Sequence, residues 1–214
     1  IDEAFPLFKS LIKAAAEAGY DTFEDSNGFK QDGFGTFDVT IDNGKRQGVS
    51  RAYLNEVKGY KNLLIEHNTD VSKIIFKEKK AIGVEIRRDN NSEIYYCNKE
   101  IILSSGSINS PKILQLSGIG DEKTLSQNGI DVINHLPGVG QNLQDHLEIY
   151  IQHKSKIKDT LYNLSTNYFT QAVEGIKWFL FKKGMLTYSH LEAGGFVKTS
   201  EKYKHPNIQL HSFP

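Results

Sequence analysis

The sequence predicts an α+β fold in two parts, on three observations. Residues 5–18 carry apolar side chains at helical spacing, whereas residues 63–104 hold a succession of short runs rich in β-branched and aromatic residues. After residue 146 the pattern changes to an aromatic-rich helix followed by two more strands. We therefore expect a domain boundary near residue 146, with one domain at 1–146 and a second at 147–214.

The composition is that of an ordinary globular protein, with 38% hydrophobic and 24% charged residues among 214. Lys+Arg and Asp+Glu number 26 each, and a protein dedicated to nucleic acid needs a basic surplus. Nucleic acid is therefore excluded as the expected partner. A single cysteine, Cys97, excludes an intramolecular disulfide and a thiolate metal cluster, and the seven histidines show no metal-ligand spacing.

The two ends of the sequence predict an internal fragment of a longer protein. The chain starts at Ile1 without a leader, and a strand-like run at 207–212 lies directly before its last residue, Pro214. No apolar stretch approaches the roughly 20 residues that a bilayer-spanning helix needs. We expect a cytoplasmic protein without a transmembrane segment in this chain, with peripheral membrane association left open.

The first element is a helix over residues 5–18, with Pro6 early in it and Gly19 at its end. A stretch rich in Gly, Asp and Asn follows from residue 21 to 48, with phenylalanines spaced through it. It is either a surface loop pinned by its aromatic side chains or a lid or pocket wall, which we place at 21–60.

The next residues predict a β region. The expected strands are 63–68, 71–77, 80–88, 93–98 and 100–104, with a hairpin turn at 89–92. The continuously apolar run 101–103 is typical of a strand buried on both faces.

Helix signals follow that run. Ser110 is the expected N-cap, Pro111 the first helical residue and Gly118 the end of the helix; a second helix is expected between Asp121 and Gly129. The remaining expected elements are a strand at 147–153, a helix at 167–183 and strands at 195–198 and 207–212.

The segment from Gly106 to Gly120, with the sequence GSINSPKILQLSGIG, is the most informative in the chain. Small residues at its start let a backbone approach a ligand closely, and the free N–H groups of a helix start favour an anionic group. The alternative is a tight strand-to-helix connection without a ligand.

This segment resembles, at every position, the second signature of the glucose–methanol–choline family of FAD-dependent alcohol oxidoreductases. Residues 136–146 (LPGVGQNLQDH) are similar to the family's next conserved segment, and 33–35 followed by 48–54 fit its earlier part. The resemblance implies that residues 1–146 are part of an FAD-binding α/β domain. It also implies that 147–214 begin an antiparallel-sheet substrate domain.

Within the family the resemblance is closest to choline-oxidising members, on residues 142–148, 189–196 and 206–211. It implies that Glu192 faces the cationic head of the substrate, with His190 beside it, and that His211 lies near the hydroxyl end. The alternatives are a solvated strand-end carboxylate for Glu192 and a core histidine for His211. Since a quaternary ammonium has no N–H to donate, a site offers it charge and aromatic faces. Aromatic residues near these positions in sequence are Trp178, Tyr188, Phe196 and Phe213.

The resemblance also implies FAD contacts, at the backbone of Val71 and beside Ser105 and Gly106. The family's dinucleotide fingerprint would precede Ile1, and its catalytic histidine pair or His–Asn pair would follow Pro214, so catalytic residues are unknown within this chain. The implied activity is oxidation of choline to betaine aldehyde with an unknown electron acceptor. The alternatives are a family member that acts on an uncharged primary alcohol, or a non-catalytic module that retains the fold.

Overall fold

A computed structural model describes residues 6–89, 91–156 and 160–214. Packing divides the chain into two compact units: the first contains residues 1–60 and 152–214, and the second contains residues 61–151. Segment 1–60 therefore packs with the end of the chain. The functional division at residue 146, with a lid or pocket wall at 21–60, stays a prediction.

Helices and groups of strands are interspersed along the chain. The helices are α1 (Pro6–Glu17), α2 (Asn55–Val57), α3 (Gly106–Leu116), α4 (Glu122–Gln127), α5 (Leu161–Ser165) and α6 (Tyr168–Phe181). The strands are β1 (Gly33–Thr36), β2 (Ile41–Asp42), β3 (Lys45–Arg46), β4 (Asp70–Lys77), β5 (Lys80–Arg88), β6 (Asn91–Tyr96), β7 (Ile119–Gly120), β8 (Asn134–His135), β9 (Ala193–Val197) and β10 (Ile208–His211). A π-helical turn (Ser50–Leu54) precedes α2, and a 3-10 turn (Met185–Thr187) follows α6. The expected α+β class is confirmed.

In the first unit, three antiparallel strands form a sheet in the order β1-β9-β10. Helix α1 packs on one face of it, where Phe8 and Ala193 are almost completely buried and Ile12 packs against them. Gly19 adopts a positive φ just after α1, which is the helix end expected from the sequence. The expected strands near 195–198 and 207–212 are confirmed as β9 and β10.

The β2–β3 hairpin is part of segment 21–60, and its tip packs against helix α6 within the same unit. Asn43 and Gly44 at its tip both have positive φ, as a two-residue type I′ turn requires. The indole N–H of Trp178 donates to the Gly44 carbonyl oxygen at 2.7 Å. A Cβ on Gly44 would lie 2.6 Å from the Lys182 carbonyl oxygen, so only glycine lets the tip approach the end of α6.

In the second unit, β4, β5 and β6 form an antiparallel meander, which confirms three of the expected strands with small shifts of their ends. The connection between β5 and β6 is tighter than the four-residue turn expected at 89–92, since Arg88 already pairs with Asn91. Asp89 has a positive φ there, and residue 90 lies outside the described residues.

Three expected strands are wrong: residues 63–68, 100–104 and 147–153 form no strand. Their apolar patterns are real, but a strand also needs a neighbour for its backbone N–H and C=O groups. Within the described ranges no strand lies beside them, and Ile102 and Leu147 are 79% and 99% exposed. The expected burial of residues 101–103 on both faces is therefore wrong for this chain.

Helix α3 begins at Gly106 with Ser105 as its N-cap, so the expected start at Ser110 and Pro111 is wrong. Pro111 lies inside the helix and deprives the Ser107 carbonyl oxygen of its N–H donor. The Ser110 hydroxyl instead accepts a hydrogen bond from the Ser105 N–H at 2.9 Å. The side chain of Ser110 therefore stabilises the entry of a helix that starts before it.

The expected ends of α3 and α4 are confirmed, whereas α6 ends at Phe181, two residues before its expected end at 183. Gly118 and Gly129 have positive φ after α3 and α4, and the Asp121 carboxylate caps α4 by accepting from the Thr124 N–H at 2.9 Å. This bond and a second one from the Thr124 hydroxyl lower the pKa of Asp121. Asn167 caps α6 in the same way, close to the expected start at 167.

Candidate functional site

Glu192 and His211 lie on one face of the β1-β9-β10 sheet. Gly194 is paired with Gly35 on one side and with His211 on the other, and directly opposed residues of antiparallel strands share a face. Glu192, two residues before Gly194, is on that face as well. The hydrogen-bond ladder between β1 and β9 continues to Glu192, because the Phe37 N–H donates to the Glu192 carbonyl oxygen at 2.8 Å. We call this side, opposite α1, the aromatic face; it carries Phe37, Glu192, Gly194, Phe196 and His211.

The carboxylate of Glu192 is buried, with 1% of the residue exposed. Its Oε1 accepts a hydrogen bond from the Ser189 N–H at 3.0 Å. Its Oε2 is buried without a hydrogen-bond partner among the residues that the structure describes. An ionised carboxylate in such a place is costly unless a cation or donor reaches it. The interpretation of Glu192 as a solvated strand-end carboxylate is therefore wrong.

His190 lies in the turn before Glu192 and is half-buried. Its φ of +64° lies in the left-handed region, which few residues other than glycine adopt. Its ring lies 6.4 Å from that of Phe213 in an edge-on arrangement. Burial lowers the pKa of His190, and the nearby charge of Glu192 opposes that shift. A neutral imidazole beside a carboxylate is thereby favoured.

His211 is exposed, so it is not a core histidine. Its ring lies 5.6 Å from the Phe37 ring, edge-on. Phe37 is also 5.7 Å from Phe196 and 6.3 Å from Phe23, measured between ring centroids. Three phenylalanine rings therefore line the aromatic face beside His211.

Glycines beneath these rings make the arrangement possible. A Cβ on Gly194 would lie 2.9 Å from Cε2 of Phe37, and a Cβ on Gly35 would lie 2.4 Å from the Phe23 ring. Side chains at either position would displace the rings from the sheet.

Two of the aromatic residues expected near the substrate lie in this region. Phe196 lies on the aromatic face and Phe213 beside His190, whereas Trp178 donates to the β2–β3 hairpin instead. Phe23 and Phe37 were not among the residues expected at the site. The sequence shows that they are spaced through a glycine-rich segment. It does not show that β1 pairs with β9, and this pairing is what brings them to the site.

The expected FAD-contacting residues all lie in the second unit. Val71 is the second residue of β4, opposite Ile86, and Ser105 and Gly106 form the start of α3. Gly106 has a positive φ, and a Cβ placed on it would meet no atom within 4 Å. Because the Ser105 side chain makes no capping hydrogen bond, the first N–H groups within α3 are open to a polar or anionic group. An open cavity of about 530 Å³ lies between one side of α3, from Ser107 to Gln115, and residues 140–144. This backbone fits the approach of a dinucleotide such as FAD.

Within residues 6–89, 91–156 and 160–214, no three His, Cys, Asp or Glu side chains are grouped so as to hold a metal ion. None of the helices in these ranges combines the length and the apolar character needed to traverse a bilayer.

Comparison with known proteins gives a family and several relatives. A family model described as GMC oxidoreductase matches residues 1–148. An oxygen-dependent choline dehydrogenase of Staphylococcus xylosus is 43% identical over 98% of this chain, and the mitochondrial choline dehydrogenase of Homo sapiens is 44% identical over 98%. The chain spans only 37% and 35% of the lengths of these two proteins.

Solved structures agree on the fold. An FAD-dependent oxidoreductase from Chaetomium thermophilum matches 90% of this chain, with 34% identity and a TM-score of 0.81, over 34% of its own length. A formate oxidase matches 99% of this chain with a TM-score of 0.80, over 40% of its own length. Its 24% identity supports the fold alone.

Proposed function

Since this chain belongs to the GMC oxidoreductase family, we propose that it is part of an enzyme that oxidises choline to betaine aldehyde. The family membership expected from the sequence is confirmed. FAD is the cofactor, and when bound it supplies the redox chemistry by accepting a hydride from the alcohol carbon. The residues of this chain contribute binding, orientation and charge.

The buried Oε2 of Glu192, which has no hydrogen-bond partner among the described residues, is the observation that supports choline over other alcohols. A carboxylate about 4 Å from a cation, at an effective dielectric of about 20, is worth about 4 kcal/mol before desolvation. A quaternary ammonium would neutralise Glu192 without a hydrogen bond, and phenylalanine rings line the same face. A buried carboxylate and aromatic ring faces together favour the binding of a methylated cation over the binding of an uncharged alcohol.

His211 and His190 complete the substrate site in this proposal. His211 is on the same sheet face as Glu192, and its exposed imidazole would hold the hydroxyl end of the alcohol. His190, whose burial favours the neutral ring, would orient the substrate beside Glu192 without competing for its charge. The base that takes the hydroxyl proton is expected outside this chain.

Val71 would hold FAD through its backbone, and Ser105 and Gly106 would lie beside the cofactor. The positive φ and open surroundings of Gly106 support a close backbone approach there. The proposed partner of the whole protein is thus a small-molecule alcohol, and the proposal includes a cytoplasmic location.

Replacing Glu192 tests the choice of substrate. In the full-length protein, Glu192→Gln keeps the shape of the side chain and removes its charge. We expect the KM for choline to rise at least about tenfold, a change worth about 1.4 kcal/mol. The KM for 3,3-dimethylbutan-1-ol, which has the shape of choline without its charge, should change less than about twofold.

The exposed Glu201 offers a matched control, since Glu201→Gln removes a charge away from the aromatic face. It should leave both KM values unchanged. Equal changes for choline and its neutral analogue in Glu192→Gln would instead favour an enzyme of uncharged alcohols.

A further inference from the structure

Phe37, which belongs to the N-terminal part of the chain, contacts the candidate substrate site through both its backbone and its ring. We propose that Phe37 is a specificity-determining residue, whose ring face contacts the quaternary ammonium of the substrate next to Glu192. This inference rests on the proposed function and assigns to one residue of segment 21–60 a share of the preference for a cation.

The backbone of Phe37 fixes it opposite Glu192. Thr36 pairs with Ala193, and the next pair in the ladder is closed by the Phe37 N–H, which donates to the Glu192 carbonyl oxygen at 2.8 Å. Opposed residues of antiparallel strands project from the same face. A cation that neutralises the Glu192 carboxylate on that face would therefore meet the side chain at position 37.

The ring of Phe37 is held by its neighbours. Phe196 and Phe23 lie 5.7 and 6.3 Å away between ring centroids, and the His211 ring is edge-on at 5.6 Å. Gly194 lies beneath the ring, where a Cβ would be 2.9 Å from Cε2. Phe37 is half-buried, so part of it remains open to a ligand. A ring supported in this way presents the negative face of its quadrupole at little entropic cost.

The segment that carries Phe37 is anchored on both sides of it. On one side β1 is paired with β9, and on the other the tip of the β2–β3 hairpin accepts the indole hydrogen bond of Trp178 at 2.7 Å. Phe37 is therefore part of a fixed wall rather than of a lid that must close over the substrate.

The test compares substrates in the full-length, flavin-loaded enzyme. Phe37→Leu removes the aromatic face but keeps an apolar side chain. We expect the KM for choline to rise about 2- to 30-fold, the range of a cation–π contact, and the KM for 3,3-dimethylbutan-1-ol to change less than about twofold. Phe37→Tyr retains the ring face and should keep both KM values within about twofold of the unaltered enzyme.

Phe29→Leu is the matched control, because Phe29 is fully exposed in the same segment. It should change neither KM. Flavin absorbance and the melting temperature establish that each variant is folded and loaded. If Phe37→Leu does not fold, Phe37→Met makes the same comparison with a more adaptable side chain.

Two results would overturn the inference. One is an equal loss for choline and its neutral analogue, which would make Phe37 a residue of shape alone; the other is no loss for choline. Failure of the proposed function looks different, because then the unaltered enzyme would not prefer choline over the analogue. If Glu192→Gln abolishes that preference and Phe37→Leu leaves it intact, only the role of Phe37 is wrong.

Discussion

Gly194 lies where β9 passes between its two neighbours, and the space there is too small for any side chain. A Cβ on Gly194 would lie 1.9 Å from the Leu210 carbonyl oxygen, which belongs to the backbone of β10 and cannot move without breaking the ladder. We expect Gly194→Ala to destabilise the full-length protein by about 3 kcal/mol, the upper end of the usual cost of overpacking. The measurement is the melting temperature, together with the KM for choline, since Phe37 would also be displaced.

Gly48→Ala provides the control for this change. Gly48 has no atom within 4 Å of an added Cβ, so its replacement should leave the melting temperature unchanged or slightly higher. A Gly194→Ala protein as stable as the unaltered one would show that β9 and β10 are not packed as described.

For single residues, the sequence predicted the expected chemical role better than the burial and the hydrogen-bond partners of the side chain. The position of Glu192 came from a motif, and its burial and its unpartnered oxygen could not be read from neighbouring residues because distant segments create them. Phe37 illustrates the same limit. It is 155 positions away from Glu192 in sequence, and only strand pairing places the two residues opposite each other.

Among the elements, helix α3 and strand β4 are joined by one buried side chain. The hydroxyl of Ser117 accepts a hydrogen bond from the Ile74 N–H at 2.7 Å and donates to the Ile113 carbonyl oxygen at 2.5 Å. Ser117→Ala would leave the Ile74 N–H buried without an acceptor, at a cost of about 1–3 kcal/mol. We expect a lower melting temperature and weaker FAD binding, because β4 carries Val71 and α3 begins at Gly106.

Ser126→Ala, on the exposed surface of α4, removes a hydroxyl without such partners and should change neither property. If Ser117→Ala lowers the melting temperature and leaves FAD affinity intact, the contact between α3 and β4 stabilises the fold without positioning the cofactor residues.

Helices were predicted more faithfully than strands, for a physical reason. The signals of α1, α4 and α6 are local: a cap or early proline, an apolar stripe and a terminal glycine. The start of α3 was missed because Pro111 usually marks a first helical turn, whereas here it lies inside the helix. Strands depend on partners, so 63–68, 100–104 and 147–153 were expected from apolar patterns that have no ladder here.

The whole molecule combines two distant parts of the sequence in its first unit. Residues 1–60 and 152–214 share the β1-β9-β10 sheet, while 61–151 form the second unit with the expected cofactor residues. The sequence predicted α1, α6, β9 and β10 of the first unit and β4–β6 of the second, whereas β1 lies in a segment expected to be a loop or pocket wall. The boundary near 146 stays a prediction. The sequence could not predict that β1 would join the later strands, since register between segments so far apart has no local signal.

The isolated 214-residue chain is expected to have no turnover. It spans 35–37% of the choline dehydrogenases that it resembles, and its sequence contains no G-x-G-x-x-G fingerprint for a dinucleotide. Glu192 and His211, in their proposed role of binding the substrate, would not oxidise an alcohol without a bound flavin and a base. The purified chain, supplied with FAD, choline and an artificial electron acceptor, should give no signal above that of the buffer, whereas the full-length protein should reduce the acceptor. Flavin-dependent choline oxidation by the isolated chain would contradict this expectation and would require a base among residues 1–214.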